Sequence, residues 1–277
     1  MSKLILIDGN AILHRAYHAL PPLTALDGTQ INAVYGFISM LLRTVENMKP
    51  THIAVAWDTP KATFRHAEYT AYQANRPRAD SDLSPQFGIA QEVLKTMKIP
   101  IYFVEGFEAD DVLGTIAYQM HNSKVALDLD EIIIITGDRD ILQLVDDAKH
   151  IRVFMPIKGL SEGKIYKEKD VKDRMGVAPS EIIDFKALVG DPSDNYPGVL
   201  GIGPKTAINL LEEFKTLENL YQNLHLVPDK TAKKLALGVE AAQISNLKQL
   251  LSCAFDTLSF LGHHPPQNLP QSKWGFS

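Results

Sequence analysis

The sequence predicts an α/β protein in which helices flank a mainly parallel sheet, followed by a smaller helical part. Short apolar runs recur along the first half of the 277 residues, and strands buried on both faces of a parallel sheet have this composition. Segments with apolar residues at helical spacing lie between these runs. Because strands that alternate with helices form βαβ units, the strands are expected to run parallel.

The predicted elements follow in chain order. Five apolar runs are predicted to be strands: Lys3–Ile7, His52–Trp57, Ile99–Val104, Glu131–Thr136 and Ile151–Met155. Two segments repeat apolar residues every three or four positions and are predicted to be helices: Ile31–Met48 and Glu108–Met120. The polar connection at 61–98 is longer than a compact domain needs, which is typical of a functional loop.

Composition divides the chain further and limits its class. Residues 1–166 hold the strands, residues 167–257 are mainly helical, and residues 258–277 have the Pro-, Gln- and Ser-rich composition of a tail or linker. The net charge is −5, but the distribution of basic residues matters more for nucleic-acid binding than their sum. A single cysteine (Cys253), no membrane-length apolar stretch and no signal peptide predict a cytoplasmic protein without membrane contact.

Nine carboxylates stand directly after apolar runs or at the starts of helices. They are Asp8, Asp58, Glu108, Asp110, Asp111, Asp138, Asp140, Asp191 and Asp194. Ligands of open α/β sheets bind just beyond the carboxyl ends of the strands, and acids gathered there repel each other unless cations lie between them. Hard oxygen ligands suit Mg²⁺ or Mn²⁺. Two such ions about 4 Å apart would clamp a phosphodiester for hydrolysis.

Each acidic cluster also has a structural interpretation. Acids at the start of a helix, such as Glu108–Asp111, satisfy free N–H groups and the helix dipole. Asp138 and Asp140 are compatible with a helix cap, and Asp191 and Asp194 with a turn around Pro192. Taken singly, each cluster is more often structural, but their joint occurrence at predicted strand ends and helix starts favours a metal site.

Basic and aromatic residues are interleaved between Lys61 and Arg78. The segment carries Lys61, Arg65, Arg76 and Arg78 against one acid, with Tyr69 and Tyr72 between them. Basic groups track a phosphate backbone and aromatic rings stack on exposed bases, so this pattern predicts single-strand binding. A solvated surface helix is the alternative. His14, Arg15 and Tyr17 could line the same site, whereas Trp57 is expected in the core.

A glycine-rich turn opens a helix in the second half of the chain. The run Gly198–Ala207 contains Gly201, Gly203, Lys205 and Thr206. Such a turn points bare N–H groups at an anion, and glycines permit close approach to a phosphate. An ordinary helix–helix turn is the alternative, but the length of the motif favours a hairpin that holds a DNA backbone.

These motifs together resemble the 5′→3′ exonuclease (flap endonuclease) family, which is found at the N-terminus of bacterial DNA polymerase I and as stand-alone proteins. The matching pieces span about residues 2–251 in the family's order, and they are Leu6–Asn10, Phe64–His66, Gly106–Asp111, Thr136–Asp140 and Gly190–Gly198. The resemblance implies a PIN-like sheet with a helical arch at about 61–98 and a helix-three-turn-helix motif at the 198–207 hairpin.

The resemblance also implies roles for single residues. It places Asp8, Asp58, Glu108, Asp110, Asp111 and Asp138 at a first metal ion, and Asp138, Asp140, Asp191 and Asp194 at a second. Asp8, Asp58, Arg65 and Arg76 are expected to act in catalysis. Tyr69, Tyr72, Gln73, Asn75 and Arg78 are expected to contact the DNA strand at the arch. Gly201, Gly203, Lys205 and Thr206 would hold the duplex, and a K⁺ ion would bind the hairpin carbonyls.

One position departs from the family pattern, because Gln73 stands where Lys is usual. A glutamine donates a hydrogen bond but cannot neutralise charge at the scissile phosphate. Arg76 or Arg78 could compensate, the enzyme could be slow, or it could favour binding over cutting. We expect an active nuclease, since every acid of the pattern is retained.

The favoured function is a two-metal, structure-specific 5′ nuclease that uses two Mg²⁺ ions, with Mn²⁺ as a possible substitute. Its expected partners are 5′ flaps, nicked or gapped duplexes and RNA–DNA primers, with a DNA polymerase in cis or in trans. A monomeric, bacterial, nucleoid-associated protein is expected. Two alternatives stay open: a DNA-structure-binding module with weak or lost activity, and a PIN-type ribonuclease, against which the Gly201–Lys205 hairpin argues.

Overall fold

The computed structural model describes residues 2–75, 80–122, 129–158 and 162–246. A six-stranded sheet forms its centre, with strand order β3-β2-β1-β4-β5-β6. The strands are β1 (Lys3–Asp8), β2 (His52–Ala56), β3 (Ile101–Tyr102), β4 (Glu131–Ile135), β5 (Ile151–Lys158) and β6 (Glu162–Tyr166). Neighbouring strands are parallel except for the pair formed by β5 and β6, which is antiparallel.

Helices connect the strands, cover both faces of the sheet and follow it. Those in the first half are α1 (Gly9–Ala19), α2 (Asn32–Met48), α3 (Phe64–Glu68), α4 (Ser84–Thr96) and α5 (Ala109–Asn122). Those in the second half are α6 (Glu168–Met175), α7 (Ile182–Val189), α8 (Pro204–Phe214), α9 (Leu217–Gln222), α10 (Asp229–Leu237) and α11 (Val239–Ser245). Among the described helices, none is long and apolar enough to cross a membrane.

Alternate residues of the central strands pack on opposite faces of the sheet. Ile5 and Ile7 of β1 face a core shared with α1, α2 and α4. Leu4 and Leu6 face a second core, which α5 and the C-terminal helices complete. The period of two in a strand produces this division. Both faces are therefore covered, as the predicted parallel sheet requires.

The structure confirms four of the predicted strands and both predicted helices to within a few residues. The strand predicted at Ile99–Val104 shrinks to two residues. Helices α3 and α4 lie within the helical arch expected at about 61–98. Helix α1 and the edge strand β6 were not predicted. Cys253 and the predicted tail at 258–277 lie outside the described residues.

The register of the sheet brings the first acids to one edge. Asp8 is paired in register with Ala56 of β2, and Ile7 is paired with Ile135 of β4. Strands β1, β2 and β4 therefore end side by side. The residues that follow them, Asp58 after β2 and Asp138 after β4, leave the sheet at the same edge as Asp8.

Candidate metal centre

Seven of the nine predicted carboxylates line one cavity of about 450 Å³ at this edge. They are Asp8, Asp58, Glu108, Asp110, Asp138, Asp140 and Asp194. Asp191 lines a neighbouring cavity that shares Asp138 and Asp140 with the first. Asp111 lines neither of these two cavities. The predicted meeting of the clusters therefore occurs for eight of the nine acids.

The first group of acids comprises Asp8, Asp58, Glu108, Asp110 and Asp138, and local structure fixes the position of its carboxylates. Asp8 caps α1, since its Oδ1 accepts a hydrogen bond from the Ala11 N–H at 2.9 Å. Its Oδ2 accepts one from the Thr136 hydroxyl at 2.7 Å. Asp58 Oδ1 accepts the Ala109 N–H at 2.7 Å at the start of α5. Each of these two acids therefore also accepts a backbone N–H group at the start of a helix, α1 for Asp8 and α5 for Asp58, and both line the cavity.

Asp111 has a different role from the one predicted. Its side chain is fully buried and accepts two hydrogen bonds of 2.7 Å from the guanidinium of Arg65. It also accepts the Glu108 N–H at 2.9 Å. Because its oxygens are used in this way, the prediction that Asp111 is a metal ligand is corrected. It holds Arg65, which is only 4% exposed, at the wall of the cavity.

Crowding and burial raise the pKa of several acids. Burial raises the pKa of Asp8 to about 7, and the nearby charges of Asp58 and Asp138 add to the effect. Burial likewise raises the pKa of Glu108 to about 7, although Arg65 opposes the rise. Burial and four neighbouring carboxylates raise the pKa of Asp110 well above its usual value. The group carries more negative charge than its surroundings stabilise, and divalent cations would relieve this.

A second group lies beside the first. Oxygens of Asp140, Asp191 and Asp194 all lie within 4.8 Å of one another, close enough to share one cation. The ammonium of Lys186, on α7, contacts Asp140 and lies 2.7 Å from Asp191. Sequence reasoning missed Lys186, because a single lysine in a mostly apolar helix does not reveal which distant acids it contacts.

Residues 69–75, which we call the arch base, contact both groups of acids. Tyr72 is 3% exposed, and its hydroxyl donates to Glu108 Oε2 at 3.0 Å. The amide of Gln73 donates to Asp194 Oδ1 at 3.1 Å and to the Tyr72 hydroxyl at 3.0 Å. The prediction that Tyr72 stacks on exposed bases is therefore corrected, because its ring is buried and its hydroxyl orients an acid of the first group.

The other predicted arch residues are placed unequally. Tyr69 is half-buried and stacks on the ring of Tyr196 at 5.5 Å. Asn75 is exposed and also lines the cavity. Of the candidate residues near the first strand, His14 lines the cavity and Trp57 is a core residue, as predicted. Arg76 and Arg78 lie outside the described residues.

The glycine-rich turn joins α7 to α8 as a hairpin between packed helices. Gly201 has φ +81°, and its carbonyl accepts a hydrogen bond from Lys234 Nζ at 2.8 Å. The Lys234 side chain also packs over the Cα of Gly201, so this glycine is less open than predicted. Gly203 has no atom within 4 Å of where a Cβ would be, and Lys205 beside it is exposed. Both residues are therefore exposed at the start of α8.

Two family models together match nearly the whole chain. One, described as 5'-3' exonuclease, N-terminal resolvase-like domain, matches residues 3–176, and the other, described as 5'-3' exonuclease, C-terminal SAM fold, matches residues 177–259. The chain belongs to the 5'-3' exonuclease family. The resemblance predicted from the motifs is thereby confirmed.

Curated relatives agree with this assignment. A protein named 5'-3' exonuclease from Bacillus subtilis (strain 168) is 37% identical over 261 residues, which cover 91% of this chain and 84% of that protein. A DNA polymerase I from Caldicellulosiruptor bescii is 41% identical over 251 residues, which cover 91% of this chain and 29% of the polymerase. The chain thus spans less than a third of that polymerase.

Several solved structures share the fold. The T5 5'-exonuclease with bound zinc matches with a TM-score of 0.75 at 23% identity, covering 92% of each chain. The T5 D15 flap endonuclease in a complex with DNA and metal ions matches with a TM-score of 0.74 at 22% identity, covering 91% of this chain and 92% of the other. The predicted fold class, a PIN-like sheet with a helical C-terminal unit, is confirmed.

Proposed function

We propose that this family member is a divalent metal-dependent 5′ nuclease that hydrolyses DNA phosphodiester bonds at 5′ ends and 5′ flaps. One observation carries the proposal: seven carboxylates from separate parts of the chain meet in one cavity beyond the ends of the parallel strands. Carboxylates crowded in this way attract paired divalent ions, and paired ions are the usual catalysts of phosphodiester hydrolysis in nucleases.

The names of the relatives support the same reaction. The Bacillus subtilis relative is named a 5'-3' exonuclease. The T5 D15 structure is described as a flap endonuclease in a pseudo-enzyme-product complex with DNA and metal ions, and the catalytic core of Rad2 was solved with DNA substrate. DNA with a 5′ flap or a nicked duplex is therefore the substrate that we propose.

The residues of the cavity fit two Mg²⁺ ions, for which Mn²⁺ could substitute, because both cations prefer hard ligands such as carboxylate oxygens. The first ion would be held by Asp8, Asp58, Glu108, Asp110 and Asp138, and the second by Asp138, Asp140, Asp191 and Asp194. When bound, such ions activate water and stabilise charge on the phosphodiester oxygens.

Side chains around the acids prepare them for this task. Arg65, held by Asp111, lies 3.6 Å from Glu108 and favours its ionised form. The Tyr72 hydroxyl donates to the same carboxylate, which fixes its orientation. Lys186 draws Asp140 and Asp191 together from the opposite side. We therefore assign to Arg65 the task of placing Glu108, in place of direct contact with DNA.

The 198–207 hairpin is proposed to hold the duplex beside the cut. Gly203 and Lys205 at the start of α8 offer an open approach and a positive charge to a phosphate. A K⁺ ion on the hairpin carbonyls is part of this proposal. Lys234 already supplies a cation at the Gly201 carbonyl, so duplex affinity should be measured in K⁺ and in Na⁺ at equal ionic strength.

We also propose a role beside a DNA polymerase in primer or flap removal, with the polymerase in cis or in trans. The support is that relatives named DNA polymerase I contain the matching segment within a longer chain. Such a partner would generate the 5′ flaps that the proposed nuclease removes.

The test is cleavage of an end-labelled 5′-flap duplex with Mg²⁺, with Mn²⁺ and with chelator. Asp138→Asn removes a carboxylate that we assign to both ions, and Asp173→Asn removes an exposed one on α6 as a matched control. We expect metal-dependent cutting near the flap junction by the wild type and by Asp173→Asn, and none by Asp138→Asn. Tight DNA binding without cutting under either metal would instead make the chain a DNA-binding module.

A further inference from the structure

The base of the arch is attached to the loop that carries the second group of acids. This loop runs from Asp191 to Tyr196 and is closed by two backbone hydrogen bonds of 2.9 Å between these residues. The Gln73 N–H of the arch base donates to the Asp194 carbonyl at 3.1 Å. Two segments about 120 residues apart in sequence are thus in direct contact at the rim of the cavity.

Asn195 is the centre of this contact. Its Nδ2 donates to the Ala71 carbonyl at 2.8 Å, and its Oδ1 accepts from Asn75 Nδ2 at 3.1 Å. Its main-chain carbonyl accepts from the Tyr69 hydroxyl at 3.0 Å. One residue therefore binds three residues of the arch base. Asn195 also has φ +63°, a left-handed conformation that asparagine tolerates better than most residues.

Aromatic packing supports the same attachment. The buried ring of Tyr196 lies 5.5 Å from Tyr69 in a stacked arrangement and 5.6 Å from Tyr72 in a tilted one. Tyr196 follows Asn195 directly, so the hydrogen bonds and the ring contacts fix neighbouring positions of one loop against the same face of the arch base.

The attachment continues to both groups of acids. The Gln73 amide joins Asp194 to the Tyr72 hydroxyl, and that hydroxyl donates to Glu108. Asp194 precedes Asn195 in the chain. A shift of the arch base therefore moves the partners of one carboxylate in each group.

We propose that Asn195 is a positioning residue that locks residues 69–75 of the arch base to the 191–196 loop, so that the position of the arch base and the placement of the second-site carboxylates are coupled. The inference rests on the proposed nuclease function. It adds a residue that lies outside the cavity lining and contacts one lining residue, Asn75, through its side chain. It predicts that weakening the lock impairs the second cation and the chemical step more than it impairs DNA binding.

Asn195→Gly tests the proposal, because glycine keeps the left-handed backbone and the carbonyl that accepts Tyr69. It removes only the two side-chain hydrogen bonds. Lys49→Gly is the matched control, since Lys49 is also left-handed (φ +48°) but exposed at the end of α2. Calorimetric titration with Mn²⁺ in the absence of DNA reads ion binding without any need for cleavage.

We expect Asn195→Gly to bind the second Mn²⁺ roughly tenfold more weakly and to cut a 5′ flap roughly thirtyfold more slowly in single-turnover assays, as the loss of two hydrogen bonds implies. Flap affinity in Ca²⁺ should stay within about threefold of the wild type, and Lys49→Gly should match the wild type in all three measurements. Unchanged Mn²⁺ binding together with an unchanged cleavage rate would overturn the proposal. An equal loss in flap affinity and in cleavage rate would also overturn it.

A second variant covers the case in which Asn195→Gly fails to fold. Tyr69→Phe keeps the ring packing and loses only the third hydrogen bond, so a smaller change in the same direction is expected. No change in its second Mn²⁺ affinity would overturn the proposal. If the wild type binds two Mn²⁺ but cuts no flap, the proposed function fails, while the titrations still decide the role of Asn195.

Discussion

Asp110 and Asp111 are neighbours in the sequence, yet the structure gives them opposite roles, and two substitutions separate these roles. Asp111→Asn removes the charge that pairs with buried Arg65. Asp110→Asn removes a carboxylate of the cavity. Asp111→Asn should lower the stability of the fold and leave ion binding unchanged. Asp110→Asn should weaken ion binding without lowering the stability of the metal-free fold.

The magnitude for Asp111→Asn follows from the burial of the pair. Arg65 is 4% exposed and Asp111 is fully buried, and both bonds between them are 2.7 Å long. Removing Asp111 leaves the buried Arg65 with only the more distant Glu108, at 3.6 Å, and breaking a buried pair in this way costs about 3–5 kcal/mol. For a chain of this size, that loss lowers the melting temperature by roughly 10 °C.

The effect of Asp110→Asn on stability has the opposite sign. Burial and the surrounding acids raise the pKa of Asp110, so the ionised form is less favourable in the folded state than in the unfolded state. A raised pKa means that stability is lost as pH rises through it. At pH 8, a neutral amide removes this loss, and the metal-free variant should melt at a higher temperature than the wild type.

Thermal denaturation in chelator measures the first effect, and calorimetric titration with Mn²⁺ measures the second. We expect Asp111→Asn to melt lower but to bind the same number of ions, and Asp110→Asn to melt higher but to bind fewer. Fewer bound ions in Asp111→Asn, together with an unchanged melting temperature, would refute the reasoning and restore Asp111 as a ligand.

Three further predictions follow from single contacts. Gln73→Lys places a cation beside the Asp194 carboxylate and should raise the single-turnover rate of flap cleavage roughly tenfold. An unchanged rate would mean that charge at this position does not limit cleavage. Asp184 is buried, which raises its pKa to about 6, so wild-type stability should fall between about pH 4 and pH 6. In chemical denaturation, the stability of Asp184→Asn relative to the wild type should rise by up to about 3 kcal/mol between pH 4 and pH 8, and a constant difference would contradict this. Gly9→Ala places a Cβ 2.5 Å from the Trp57 ring and should lower the free energy of unfolding by about 1–3 kcal/mol, measured in thermal melts. Gly88→Ala lies in open space on α4 and should be stabilising. Equal effects of the two variants would contradict a clash at Gly9.

The strand ends were predictable because they depend on local patterns. An apolar run followed by an acid, as at Ile7–Asp8, specifies both a buried strand and the residue that leaves it. Parallel order then brings the strand ends to one edge without further information. The short strand β3 was overestimated because only Ile101 and Tyr102 of the apolar run at 99–104 pair with β2.

The roles of single acids were less predictable, because they depend on distant partners. Successive residues of a helix point about 100° apart, so of Asp110 and Asp111 only one can face the cavity. The choice is made by Arg65, 46 positions away. Tyr72 was misassigned for the same reason, since its acceptor Glu108 is 36 positions away. No spacing rule within one segment reveals such pairs.

The two groups of acids differ in how their charge is balanced within the protein. Beside the first group, Arg65 gives its two short contacts to Asp111 and lies 3.6 Å from Glu108. In the second group, Lys186 contacts Asp140 and Asp191 directly. An ammonium on a flexible stem can leave a carboxylate at little cost, whereas a guanidinium held by two bonds cannot. Added cations would relieve the crowding that raises the pKa of Asp8 and Glu108 in the first group, while the second group has Lys186 as a contacting counterion. Two identical ions would therefore meet unequal sites, and the different placement of Lys186 and Arg65 contributes to this inequality.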